Sequence, residues 1–176
     1  MATRRIKLQD VCRALDVPER DVRYVLERGF VPAGVPEAPG SGQHRDFSPQ
    51  QAFWLGMVLK LKRCGLGTPL AAQVADYADE ALRGVTQNLN WEWRFLPRAG
   101  QFDTEHEYYV DVADLEHIRL ATDACPSSEG LYVFPWQSLK KPRRVVRDVS
   151  PFVVLRLDLS LIAARLGAAF GSVAAP

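Results

Sequence analysis

Four side chains between Arg20 and Arg28 carry the clearest chemistry in this sequence. Arg20, Arg23, Tyr24 and Arg28 fall within "ERDVRYVLERG", a stretch whose apolar residues Val22, Val25 and Leu26 repeat at helical spacing. That spacing sends the valines and the leucine to one face and the arginines and tyrosine to the other. A guanidinium is a planar fork of donors that fits a phosphate or the edge of a guanine. An exposed row of this kind suits nucleic acid. It also suits a solvated helix face that meets nothing, and the row alone does not separate the two.

The elements that must hold these residues are legible from local signals. "LQDVCRALDV" places Val11, Cys12 and Leu15 at helical spacing, with Asp10 early, where a helix N-terminus favours negative charge. Pro18 suits the start of a second helix, and Gly29 its end. Two short helices joined by a tight turn form a helix-turn-helix candidate, whose second helix presents a polar, basic face to the major groove. "FVPAG", the loop "GVPEAPGSG" and "HRDF" read as a two-stranded wing with a loose tip. Ser48 then caps a helix with Pro49 at its first position. Phe53, Leu55, Val58, Leu59 and Leu61 make its apolar face, and Gly65 stops it. Thr68 caps a further helix with Pro69 at the first position.

Taken in order, "IKLQDVCRALDV", "DVRYVLERGFVP", "HRDFS" and "CGLGTPLAAQV" resemble the winged helix-turn-helix domain of MerR-family transcription regulators over residues 6–82. The resemblance implies a DNA-binding role. It puts Arg23 and Tyr24 on the recognition helix and Arg45 on the wing, with His44 where the family has a wing tyrosine. Val25 replaces a second family tyrosine, and Phe47 keeps only the ring of another. The expected DNA-contacting set is Arg20, Arg23, Tyr24, Arg28, His44 and Arg45.

Beyond a boundary at "GVTQNLN", near Gly84, the texture changes. "LNWEWRF" alternates with period two, as a half-buried strand does. "EYYVDV", "GLYVFPW" and "PFVVLRL" are further strand candidates. "DLSLIAARLGAAF" reads as a helix capped by Asp158. The expected fold is α+β, with a MerR-like winged helix-turn-helix over 1–83 followed by a small α+β module over 89–176. No family is recognised in that second part. Its helix carries an apolar stripe of Leu159, Ile162, Leu166 and Phe170, expected to form a homodimer surface, with edge pairing of "FVVLRL" as an addition. Aromatics such as Trp91, Trp93, Tyr109 and Trp136 build a small core or line an effector pocket, and the core is the reading preferred.

Composition sets outer limits. A chain of 176 residues with 47% hydrophobic and 24% charged residues is that of a globular protein. The net charge of +1 means that any nucleic-acid role must come from a local patch. Cys12, Cys64 and Cys125 form no CxxC pair, which argues against a disulfide framework or zinc ribbon. Cys12 and Cys64 are expected in the core, and His117 on the surface. Glu105, His106 and Glu107 are adjacent on a strand, a poor metal cage. "KKPRRVVR", residues 140–147, reads as a solvated basic loop. No cofactor, metal or catalytic constellation is expected, nor a signal peptide or membrane span, so the expected location is cytoplasmic. The function expected is a dimeric, sequence-specific transcription regulator on a palindromic site. The alternatives are an excisionase-like accessory factor of a mobile element and an antitoxin-like protein-interaction module. A protein partner or small-molecule effector is assigned to the second part.

Overall fold

The chain's helices are set by their ends. The computed structural model describes residues 6–32, 45–88, 108–122, 132–133, 145–146 and 152–170. Strand β1 (Ile6–Lys7) leads into helix α1 (Leu8–Leu15), which ends where Asp16 turns left-handed at φ 53°. The Val17 N–H then donates to the Cys12 carbonyl at 3.0 Å and closes the turn. Helix α2 (Glu19–Glu27) starts after Pro18. It ends at Gly29, φ 81°, with the Phe30 N–H donating to the Val25 carbonyl at 3.2 Å. Strand β2 (Asp46–Phe47) precedes helix α3 (Pro49–Arg63). Ser48 Oγ accepts from the Gln51 N–H at 3.2 Å, and Gln51 Oε1 accepts from the Ser48 N–H at 2.8 Å, a reciprocal cap.

Helix α4 (Thr68–Asn88) begins at Thr68 itself, and the Ala71 N–H donates to the Gly67 carbonyl at 2.9 Å. The cap expected at Thr68 therefore sits one residue earlier, within the usual scatter of helix ends. The helix also runs through Gly84, where the sequence reading ended it. One interior glycine costs a helix only about 1 kcal/mol, which propagation on both sides offsets.

The remaining strands are β3 (Tyr108–Ala113), β4 (His117–Thr122), β5 (Tyr132–Val133), β6 (Val145–Val146) and β7 (Val154–Asp158), followed by helix α5 (Leu159–Phe170). They form an antiparallel sheet in the order β6-β5-β4-β3-β7. Strand β4 had no counterpart in the sequence reading, and His117 lies buried on it instead of on the surface. Asp158 Oδ1 accepts from the Leu161 N–H at 2.7 Å, the cap expected for α5. The expected strand Leu89–Phe95, the basic run 140–144 and Cys125 lie outside the described residues. The fold is α+β, with five helices and two antiparallel sheets among the described residues.

Packing joins the two parts of the chain. Alternation along β3 and β7 turns Tyr108, Val110, Val112, Leu155 and Leu157 to one face of the sheet, with Ile118 of β4. That face lies on helices α3, α4 and α5, and α5 in turn packs on α1 and α3. One buried cluster therefore runs from Ile6 to Leu166, and the boundary near Gly84 does not separate two cores. Helix α3 is buried nearly all round, from Ala52 through Leu59, as a helix at the centre of a domain is. Cys12 is buried, and burial pushes its thiol up from its ordinary value. Cys64, expected in the core, is exposed, because it lies past the last turn of α3.

The opposite face of the sheet is polar. Asp111 of β3 is fully buried and sits directly across from Arg119 on β4 and Arg156 on β7. Arg119 donates to it at 2.5 and 3.2 Å, Arg156 at 2.7 and 2.9 Å. Arg156 also lies 4.8 Å from the Tyr109 ring centroid. Burial alone would raise the Asp111 carboxyl. The hydrogen bonds and charges of Arg156 and Arg119 outweigh it and hold the group below its ordinary value.

Two outcomes follow. Gly56 of α3 faces Ile162 of α5, and a Cβ there would meet Ile162 Cγ2 at 2.8 Å and Leu15 Cδ1 at 3.3 Å. Gly56→Ala gains up to about 1 kcal/mol of helix propensity. Overpacking costs roughly 1–3 kcal/mol, and a β-branched side chain cannot swing clear. A net loss is expected in urea titration, partly recovered by adding Ile162→Ala. Asp111→Asn leaves two guanidiniums without their counter-charge. The cost is expected to be about 2 kcal/mol, below the figure for a fully buried pair because Arg156 is half in water. A carboxyl held low when folded contributes stability above its unfolded value and loses it as pH falls through the folded one. The wild type should therefore lose more stability than the asparagine variant below about pH 4 in acid titrations followed by circular dichroism.

Candidate nucleic-acid interface

Helix α2 buries Val22, Val25 and Leu26 and leaves Arg20, Arg23, Tyr24 and Arg28 exposed, as the apolar spacing requires. Arg23 and Arg20 each have an acidic neighbour that tempers them. Arg23 donates to Glu19 Oε1 at 2.5 and 2.8 Å across one helical turn. That hydrogen bond, and the charge behind it, hold the Arg23 guanidinium above its ordinary value. Arg20 lies 3.6 Å from Asp21. From Glu19 to Arg28 the three arginines are matched by Glu19, Asp21 and Glu27, so this segment is neutral overall.

The positive excess at this surface comes from Lys60, Lys62 and Arg63 in the last turn of α3, to which the sequence analysis gave no role. Lys62 Nζ lies 4.4 Å from the centre of the Tyr24 ring, and the Arg28 guanidinium carbon 5.3 Å from it. Tyr24 is 45% exposed and held by two cations. Lys60 Nζ donates to the Leu15 carbonyl at 2.7 Å, and Arg63 Nη1 to the Asp16 carbonyl at 2.8 Å. These are the last carbonyls of α1, where a helix dipole favours positive charge. Burial, with the neighbouring guanidiniums of Arg165 and Arg63, pulls the Lys60 ammonium below its ordinary value. Three cations of one turn thus hold the α1–α2 connection and the ring that α2 displays. The sequence signal was present in "KLKR" at the end of α3, but nothing local says which neighbour those side chains reach.

The other expected contacts divide. Arg45 precedes β2 and is half-buried, with Nη1 removed from solvent and without a hydrogen-bond partner. The resemblance expects Arg45 on the wing, where it would reach phosphate. His44 and the expected wing tip lie outside the described residues. Strand β2 pairs with β1, Ile6 opposite Phe47, and residues 30–32 are not strand. The expected dimer stripe is corrected. Leu159, Ile162 and Leu166 are 0%, 3% and 0% exposed, because α1 and α3 of the same chain cover them. The side chain of Phe170 lies outside the described residues. No helix among the described residues is long and apolar enough to cross a membrane.

The two cation caps on α1 differ in burial, and so should their worth. Lys60→Met should cost roughly 1.5–3 kcal/mol in chemical denaturation, the range for a hydrogen bond to a charged group. Arg63→Met, at an exposed site, should cost less than about 1 kcal/mol.

No protein-family model matches the chain, and no curated protein matches it.

Proposed function

We propose that this chain is a sequence-specific DNA-binding transcription regulator that inserts α2 into the major groove of a palindromic site. On this reading α1, the Asp16–Pro18 turn and α2 are the helix-turn-helix of a MerR-like winged domain. The observation that carries the reading is the exposed Arg20, Arg23, Tyr24 and Arg28 row together with Lys62, mounted on a turn that Lys60 and Arg63 hold fixed. A rigid mount matters because base readout requires donors placed before contact, and phosphate contacts set the register in which they read. Arg23 and Arg28 present guanidinium forks, Lys62 a point charge for phosphate, and Tyr24 an aromatic face with a hydroxyl. Arg45 supplies a second phosphate contact at the edge of this surface once its half-buried guanidinium turns outward.

Glu19 sets the strength of the interaction on this reading. It holds Arg23 in the free protein and brings a negative charge towards the phosphates. Docking then exchanges the Glu19 pair for a DNA contact, so Glu19 weakens all complexes and most of all those in which Arg23 gains little.

The test uses DNA recovered by selection from a random pool. Arg23→Ala should weaken binding to the selected site roughly 5- to 150-fold, with the melting curve unchanged. Glu19→Gln should strengthen binding, with a gain that shrinks as salt is raised. If both variants bind as the wild type does, α2 is not the docking element.

A further inference from the structure

Helix α5 brings a further cation towards the surface on which α2 lies. It meets α3 where Ile162 faces Gly56. One turn further along each helix stand Lys60 on α3 and Arg165 on α5. Arg165 is exposed, while the next residue, Leu166, is buried against the helices beneath. After burial, the strongest influence on the Lys60 ammonium is the charge of Arg165, ahead of that of Arg63. A cation of α5 thus stands close to the two that cap α1.

The positive groups follow one path. Arg28 and Lys62 flank the Tyr24 ring, Arg63 and Lys60 donate to the Asp16 and Leu15 carbonyls, and Arg165 stands beside Lys60. The carbonyls accept hydrogen bonds but neutralise no charge. Among the described residues the ion pairs join acids to Arg13, Arg20, Arg23, Arg119 and Arg156. None includes Arg28, Lys60, Lys62, Arg63 or Arg165. Asp16 is the carboxylate whose attraction reaches Lys60, and Arg165 and Arg63 oppose it. In a chain whose net charge is +1, this is an uneven distribution. Like charges brought together cost the fold, so folding alone gives no reason for the charge of Arg165.

We propose that Arg165 contacts a DNA phosphate, so that the surface meeting DNA runs from α2 over the last turn of α3 to α5 in the second part of the chain. This contact rests on the reading of α2 as the docking helix. Cations drawn from three helices suit a partner that carries its charges in a row, and a duplex carries one for every ~1.7 Å of its axis. Arg165 offers phosphate a two-pronged donor, and the bound anion relieves the repulsion on Lys60. Such a contact positions the protein and reads no sequence.

Fluorescence anisotropy of the full chain tests it, with the duplex recovered by selection and with one of unrelated sequence, over a series of salt concentrations. One phosphate contact releases about 0.9 of a counterion, so Arg165→Ala should weaken both complexes about fivefold at physiological salt and lower the salt slope by about 1. Arg165→Glu should weaken both further, and Arg165→Lys, which keeps the charge, should bind as the wild type does. The urea midpoint of Arg165→Ala should be unchanged or raised, and if that variant melts early, Arg165→Gln, which keeps most of the stem, decides the matter. If the Arg165 variants bind as the wild type does while Arg23→Ala weakens the selected complex, the α5 contact is overturned and α2 remains the docking element. If Arg165→Ala weakens both complexes while Arg23→Ala changes neither, the α5 contact stands and the docking of α2 falls. A loss confined to the selected duplex would overturn the phosphate assignment, and a wild type that binds neither duplex would overturn both readings.

Discussion

The arrangement depends on one close approach, that of α3 to α5 at Gly56. The absence of a side chain there lets Ile162 Cγ2 come within 2.8 Å of where a Cβ would stand, with Leu15 of α1 beside it. Dispersion and burial both fall steeply with separation, so this crossing brings three helices into mutual contact that a larger residue would deny them. The sheet rests on the same helices through Leu157, Val110 and Val112. Because α3 is buried nearly all round from Ala52 through Leu59, each change in the pose of α5 is felt by α1.

The candidate interface is built by the same logic of shared elements. Helix α2 supplies groups that display themselves, and α3 supplies those that hold them. The ion pair of Glu19 with Arg23 is worth little to stability, since both groups are in water. Its consequence is local order, one arginine kept along the helix axis. Lys62 and Arg28 do for Tyr24 what Glu19 does for Arg23. The Asp111 cluster on the far side of the sheet differs in kind, because a carboxylate removed from water must keep both guanidiniums to remain charged.

Much of the fold was legible because helix ends are local. Ser48, Gly29, Gly65 and Asp158 act on backbone groups a few residues away, and each stands where the sequence placed it. What covers an apolar stripe is not local. Leu159, Ile162 and Leu166 announce a buried face, but only the fold says that α1 and α3 cover it. Strand β4 was missed because its turn, Asp114–Leu115, contains no glycine or asparagine to mark it. His117 was misplaced with it, since a surface position was read for a residue on a strand packed over helices. At the candidate interface, the α2 row was legible from period alone. The contribution of Lys60, Lys62 and Arg63 was not, because their partners lie as much as 47 residues away along the chain.

Helix α5 closes the space over α1, so the first helix of the chain is finished by one of the last segments described. During synthesis the ribosome releases Val11 and Leu15 long before Leu166. Until then α1 and the inner face of α3 have no lid, and the N-terminal segment cannot complete its core as an early, self-contained unit does. Contacts of such wide sequence separation are made late and slowly. The apolar faces of α1 and α3 that α5 covers are therefore buried only once the chain has been made as far as Leu166.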